Sequence, residues 1–102
     1  MFDITYGTDE TILLEGRLDA AQAARAREFL DGVTGSRVVD FGRLEYISSA
    51  GLGVILRTQK RLKAAGGELT LVRLNNHIHD VFRYAGLDQV FRIEKGGNPD
   101  AG

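Results

Sequence analysis

The stretch from residue 40 to residue 56 constrains the fold more than any other part of this chain. An apolar segment typical of a β-strand gives way there to an amphipathic helix, and Ser48 and Ser49 stand at the change. The first N–H groups of a helix have no partner within the helix and carry the positive end of its dipole. A hydroxyl at this position can cap the helix or carry a phosphoryl group, so the two serines form a candidate chemical switch.

Composition limits the classes of protein to which the chain can belong. With 102 residues, of which 43% are hydrophobic, it is long enough for one compact domain and too short for two. The 13 Lys and Arg residues are balanced by 14 Asp and Glu residues, which argues against a nucleic-acid partner. The chain has no cysteine, no secretion signal and no run of about 18 apolar residues. We therefore expect a cytoplasmic protein with no membrane partner.

The first half of the chain begins with a pattern typical of a β-hairpin. Apolar and polar residues alternate over residues 2–6, residues 7–10 favour a turn, and residues 11–15 form a second β-rich run. A short apolar run over residues 37–41 is typical of a strand that is covered on both faces. We expect this strand to lie at the centre of the sheet.

A first helix is predicted between these strands. Asp19 is followed three residues later by Gln22, a spacing typical of a capping box, and apolar residues then recur at helical spacing. These signals predict a helix over residues 20–31 that ends at Gly32 or Gly35.

The second half of the chain predicts alternating helices and strands. A second helix begins near Ser49 and ends at Gly66 and Gly67. Its basic residues are interpreted as a solvated face, with contact to an acidic partner kept open: Arg57, Lys60, Arg61 and Lys63. The remaining predicted elements are a strand over residues 68–74, a third helix through residues 78–85 closed by Gly86, and a final strand over residues 89–93.

Together these elements predict an α/β fold. Strands that alternate with helices after a hairpin indicate a mixed sheet of four to five strands with helices packed against it. We assign residues 1–94 to this domain and residues 95–102 to a flexible C-terminal tail, because the last residues offer nothing to bury. The oligomeric state stays open, since an exposed strand of the hairpin could also pair edge to edge in a dimer.

Three blocks of sequence resemble the STAS domain of bacterial anti-sigma factor antagonists. They occur in the family's order and spacing, and the resemblance covers about residues 2–93. The most specific block joins a strand to Ser49, Ala50, Gly51, Leu52 and Gly53 at the start of an apolar helix. The three blocks are residues 16–19, residues 40–56, and residues 84–87 with 90–93. The resemblance implies the STAS fold.

The resemblance also implies a small partner-switching protein without catalytic activity or a cofactor of its own. In that family the unphosphorylated antagonist binds an anti-sigma factor and so releases a sigma factor. The anti-sigma factor is often an ATP-dependent serine kinase, which phosphorylates a serine at the start of the second helix, and a serine phosphatase reverses the modification. Carried over by position, this serine is Ser49. The family commonly has an acidic residue before it and often a second serine after it, whereas this chain has Ser48 and Ala50, so Ser48 is an alternative acceptor.

The resemblance implies a partner-binding surface around the acceptor serine. Its predicted residues are Asp19, Ser48, Ser49, Gly51, Leu52 and Gly53. Some of these residues also have plainer roles. Ser48 and Asp19 are predicted to cap the second and first helices. Two glycines near a helix start weaken the helix, and either close approach by a partner or tight packing inside the domain explains them. A phosphate on Ser49 is expected to lie near Asp19, Asp40 or Glu45.

Other functions are less well supported by the residues. Asp40 could be compared with the phosphoacceptor of a response regulator, but no acidic pair follows the first strand. Residues 47–51 lack the first glycine of the Gly-x-Ser-x-Gly elbow of hydrolases. His77 and His79 are two residues apart on a predicted helix and face different ways, so no metal site is expected. The second hypothesis is a STAS-like structural subunit that docks on a transporter or another assembly and is never phosphorylated.

Overall fold

The computed structural model describes residues 1–94, in which strands and helices alternate after an opening hairpin. The predicted tail over residues 95–102 lies outside the described residues. In chain order the elements are β1 (Phe2–Tyr6), β2 (Ile12–Leu18), α1 (Ala23–Asp31), β3 (Arg37–Ile47), α2 (Ser49–Ala64), β4 (Leu69–Val72), α3 (Asn76–Tyr84) and β5 (Arg92–Glu94). Short 3₁₀ turns occupy Thr8–Glu10 and Ala20–Gln22.

The five strands form one mixed sheet in the order β1-β2-β3-β4-β5. β1 and β2 are antiparallel, as the alternation of the hairpin predicts, and the other neighbouring pairs are parallel. The central place predicted for the strand over residues 37–41 is confirmed, because β3 is the third of the five strands. The expectation that this strand is covered on both faces is wrong, because Val38 is exposed. The predicted α/β class and the mixed sheet are confirmed.

The helices cover one face of this sheet. The start of α2 lies against the buried side chain of Leu18 on β2, and α1 packs beside α2. On the same face Phe41 of β3 meets Phe82 of α3 edge to face, with ring centroids 5.8 Å apart. Residues such as Leu13 and Val38, which alternate with the core positions of β2 and β3, are exposed on the opposite face.

β3 continues six residues beyond the predicted strand over residues 37–41 and ends at Ile47. Its register against β2 shifts twice, between Leu13 and Glu15 and again between Gly16 and Arg17. Each shift places one extra residue in β3 and breaks the two-residue alternation, so that its core side chains stay on the buried face: Val39, Phe41, Leu44 and Ile47. The pattern of a regular strand is therefore missing after Phe41.

The ends of the helices largely match their sequence signals. The first helix is shorter than predicted, because a 3₁₀ turn precedes α1 and Asp19 caps that turn by accepting the Gln22 N–H at 3.2 Å. α3 ends as predicted, since Gly86 has a φ of +75° and the Leu87 N–H donates to the Phe82 carbonyl at 2.8 Å. β4 and β5 are shorter than their predicted ranges.

Candidate functional site

The candidate site forms where the carboxyl ends of β2 and β3 meet. Leu18 and Ile47 are the last paired residues of these parallel strands. The Ser48 N–H donates to the Leu18 carbonyl at 2.9 Å, which joins the end of β2 to the start of α2. Asp19 follows Leu18 and Ser49 follows Ser48, so the fold brings these predicted site residues together at the carboxyl end of the parallel strands.

The two serines at this end of the strands have different environments. Ser48 is extended, with φ −88° and ψ 171°, and its half-buried Oγ accepts the Gly51 N–H at 3.1 Å. The prediction that Ser48 caps the second helix is therefore confirmed. Ser49 is the first residue of α2 and is exposed, and its hydroxyl makes no hydrogen bond to residues 1–94. Of these two serines, Ser49 is the one whose hydroxyl is exposed and makes no hydrogen bond within residues 1–94.

Replacing Ser48 with alanine is expected to lower the free energy of unfolding by about 1 kcal/mol, because the Gly51 N–H loses its cap. Ser49→Ala is the matched control, and it is expected to change this free energy by less than about 0.5 kcal/mol. Urea unfolding followed by circular dichroism measures both values. Equal losses in the two variants would contradict the assignment of the cap to Ser48 alone.

The two glycines of the predicted site also differ. Gly51 is buried, and an added Cβ would lie 2.8 Å from Cγ of Leu18 and 3.0 Å from Cγ1 of Ile47. Packing inside the domain therefore accounts for Gly51. Gly53 is exposed, and an added Cβ would meet nothing within 4 Å. Gly53, next to half-buried Leu52, leaves open space on the surface of α2.

Asp40 does not lie where the sequence analysis expected. It is inside β3, not at its end, and its carboxylate accepts the Gly42 N–H at 2.8 Å and Nε of Arg73 at 3.0 Å. Asp40 pairs with Leu13 and Ile47 pairs with Leu18, so the five-residue separation of these pairs along β2 places Asp40 about 17 Å from Ile47. The expectation that Asp40 lies beside Ser49 is wrong, because the strand continues past Phe41.

Arg61 corrects the interpretation of the basic residues on α2. Its guanidinium donates to the Leu30 and Val33 carbonyls, both at 2.8 Å, and so satisfies carbonyls at the end of α1. Arg57 lies 3.6 Å from Asp31. Of the four basic residues, Lys60 and Lys63 are exposed and make no ion pair in the described chain.

Gln59 is a buried polar residue that the sequence analysis missed. Its side chain is fully buried, and it donates to the Val90 carbonyl and accepts the Leu69 N–H, both at 2.8 Å. Gln59 lies four residues after Ile55 and three before Leu62, so helical spacing placed it on the apolar stripe. This position on the apolar stripe is the sequence signal that could have identified Gln59 as buried.

Residues 1–94 contain neither a metal-binding cluster nor a membrane-spanning helix. His77 is exposed and His79 is half-buried, both on α3. No group of three or more His, Cys, Asp or Glu residues in this range could hold a metal ion. No helix in this range is both long enough and apolar enough to cross a membrane.

A match to a protein-family model shows how this chain is related to known proteins. The model described as "Mlab, STAS domain" matches residues 5–94. The chain belongs to the STAS domain family. The resemblance inferred from the three sequence blocks is thereby confirmed, and the STAS domain covers all elements from β2 to β5 together with the end of β1.

Individual relatives of this STAS protein are antagonists of anti-sigma factors by name. BtrV of Bordetella bronchiseptica, which is named as an anti-sigma factor antagonist, is 46% identical over 56 residues. That match covers 55% of this chain and 48% of BtrV, so it spans about half the length of that relative. The anti-sigma-B factor antagonist of Listeria monocytogenes is 28% identical over 89 residues, which are 81% of this chain and 76% of the relative.

Solved structures share the fold of this STAS protein. The anti-sigma factor antagonist SpoIIAA in its unphosphorylated form aligns with a TM-score of 0.70 at 21% identity, over 99% of this chain and 94% of SpoIIAA. The phosphorylated form of SpoIIAA aligns with a TM-score of 0.67 at 22% identity, over 99% of this chain and 97% of SpoIIAA. At these identities the likeness shows the fold alone.

Proposed function

We propose that this STAS protein is an anti-sigma factor antagonist that acts by partner switching. Its unphosphorylated form binds an anti-sigma factor and frees a sigma factor, and phosphorylation of Ser49 ends that binding. The observation that carries the proposal is the exposed Ser49 hydroxyl at the start of α2, next to a serine that already caps the helix. The names of its relatives BtrV and the Listeria antagonist support the general role.

Ser49 is a better phosphate acceptor than Ser48 for a structural reason. The Ser48 Oγ already accepts the Gly51 N–H and is half-buried, so a kinase would have to open the helix cap to reach it. The Ser49 Oγ is exposed and requires no such opening. In the proposed reaction this oxygen attacks the γ-phosphorus of ATP, the bond from that phosphorus to the β,γ-bridging oxygen breaks, ADP leaves, and the hydroxyl proton is released.

The proposed partner surface surrounds Ser49 on the side of α1 and α2. Exposed Gly53 lets another backbone approach α2 closely, and Leu52 offers a half-buried apolar side chain. Gly51 is buried, so it contributes to this surface only by allowing the start of α2 to pack closely on the sheet. A shallow groove continues from there between α1 and α2, lined by Ala23, Ala24, Arg27, Glu28, Asp31 and Val54.

The free protein is suited to carry a phosphate at this position. The start of α2 offers the positive end of a helix dipole, worth about 0.3 to 1 kcal/mol to a nearby negative charge. Asp19 follows Leu18, whose carbonyl accepts the Ser48 N–H, and the Asp19 carboxylate accepts the Gln22 N–H. The phosphate is therefore tolerated without a partner, while an interface fitted to a neutral hydroxyl rejects it.

The proposal requires two further proteins and no cofactor of the antagonist itself. One is an anti-sigma factor that is also an ATP-dependent serine kinase, and the other is a serine phosphatase that restores the hydroxyl of Ser49. The place of action is the cytoplasm, where sigma factors work. The antagonist itself performs no catalysis and binds neither nucleic acid nor membrane.

A pair of baits tests the proposed function. Ser49→Ala should retain a kinase-like anti-sigma factor from a lysate of the source organism, and Ser49→Asp should lose it, as identified by mass spectrometry. Thr34→Ala and Thr34→Asp form the matched control, because Thr34 is exposed and lies just before the start of β3, at the opposite end of the strands from Ser49. If both Ser49 baits retain the same transporter or scaffold subunits, the protein is instead a structural subunit.

A further inference from the structure

β1 is an edge strand, and half of its backbone groups point away from the sheet. Arg17 donates its N–H to the Met1 carbonyl and Gly7 donates its N–H to the Thr11 carbonyl, both at 2.7 Å. Because bonding direction alternates along a strand, the odd-numbered residues of β1 bond toward β2. The N–H and carbonyl groups of Phe2, Ile4 and Tyr6 therefore form the outer edge.

Two of these outer groups are bonded to side chains of the same protein. Arg25 of α1 donates Nη1 to the Phe2 carbonyl at 2.7 Å and Nη2 to Oδ1 of Asp3 at 2.7 Å. The same Asp3 oxygen accepts the Ile4 N–H at 3.0 Å. We call Arg25 and Asp3 the edge guard. One acceptor and one donor of the outer edge are thus already engaged.

The guarded groups are those that a second copy would need. In an antiparallel pairing of two β1 strands centred on Ile4, the two Ile4 residues lie opposite each other and Phe2 lies opposite Tyr6 of the other copy. The Ile4 pair would exchange N–H and carbonyl groups, and each Phe2 carbonyl would accept a Tyr6 N–H. The edge guard occupies the Ile4 donors and the Phe2 acceptors in both copies.

We infer that the edge guard keeps β1 from pairing with β1 of a second copy, so that removing it converts the protein into a dimer with a continuous sheet across both copies. Unpaired strand edges invite such pairing, and charged side chains at an edge are a known defence against it. The self-complementary register around Ile4 favours a second copy as the occupant, because a twofold interface uses the same surface on both partners.

Removal of the guard should leave the fold intact. The Arg25 and Asp3 side chains are 51% and 46% exposed, and exposed ion pairs add little to folding stability. β1 stays attached to the domain without the edge guard, because the Phe2 and Ile4 side chains are buried in the core. Arg25→Ala therefore opens the edge without removing core packing.

Sedimentation velocity over a concentration series tests the edge guard. Arg25→Ala is expected to dimerise at a concentration at least about tenfold lower than the wild type, whereas Arg27→Ala should sediment as the wild type does. Arg27 is the matched control because it is an exposed arginine of the same helix that pairs with Asp31. Asp3→Ala removes the oxygen that holds both Arg25 and the Ile4 N–H, so it decides the question if Arg25→Ala does not fold.

Amide hydrogen exchange locates the new contact. In the dimer of Arg25→Ala the Tyr6 amide should exchange more slowly as concentration rises, because its N–H donates to the other copy. Three results would overturn the inference. They are folded variants that stay monomeric, a dimer in which the Tyr6 amide is unprotected, and a wild-type protein that already dimerises with that amide protected.

Discussion

Phosphorylation of Ser49 is expected to weaken binding to the anti-sigma factor about a thousandfold, which corresponds to about 4 kcal/mol. The modification adds about −1.5 to −2 charge to a surface that offers an exposed neutral hydroxyl. In the complex this charge would lose its water without gaining a partner, and that desolvation is costly. In the free protein the same charge stays in water at the positive end of α2.

Isothermal titration calorimetry with the purified anti-sigma factor measures this loss. Phosphoserine is incorporated at position 49 during synthesis, and phosphothreonine at position 34 provides a control with the same charge. Thr34 is exposed and lies before β3, at the end of the parallel strands opposite Ser49. Equal affinity of the unmodified and Ser49-phosphorylated proteins would rule out the switch. Equal weakening by the two phosphates would point to net charge instead of position.

Replacing Gln59 with leucine is expected to lower the free energy of unfolding by about 3 kcal/mol. The wild-type side chain satisfies the Leu69 N–H and the Val90 carbonyl, which connect α2 with β4 and with the segment before β5. Leucine has a similar length but no hydrogen-bonding groups, so both backbone groups would lose their partner. The loss exceeds the gain from a more apolar side chain because two groups are affected at once.

Urea unfolding measures the effect of Gln59→Leu, with Gln89→Leu as the matched control. Gln89 is exposed, so the same substitution there should change the free energy of unfolding by less than about 0.5 kcal/mol. A loss below about 1 kcal/mol for Gln59→Leu would show that Leu69 and Val90 find other partners. Affinity for the anti-sigma factor, measured on folded protein, should stay unchanged, because Gln59 is fully buried.

The elements of the fold were predictable where local signals were regular. Alternation revealed the hairpin, and glycine with positive φ marked the end of α3. β3 was cut short in the prediction because its two register shifts remove the alternation after Phe41. Because the predicted strand ended too early, Asp40 was expected near the end of that strand and close to the acceptor serine, whereas it lies inside β3.

The candidate site was predictable to the extent that it depends on the start of one helix. Only one of the two serines can be the N-cap, and the family resemblance, which gives Ser49 as the acceptor, leaves Ser48 as the cap. The structure confirms this cap. The bonds of Arg61 to the end of α1 and of Arg25 to β1 could not be predicted in this way. They join elements that are distant in sequence and depend on how the helices pack on the sheet.

The attachment of Ser48 to Leu18 bears on how fast such a switch could operate. Its N–H bonds to the Leu18 carbonyl, and Gly51 packs against the Leu18 side chain, so the backbone under Ser49 is held at two points. A phosphate added there alters the charge of a surface whose shape is already set. No loop has to refold between the two states, and a slow conformational step of microseconds to milliseconds is not required. The response time would then follow the turnover of the kinase and the phosphatase and the exchange of binding partners, with no conformational step of this chain added.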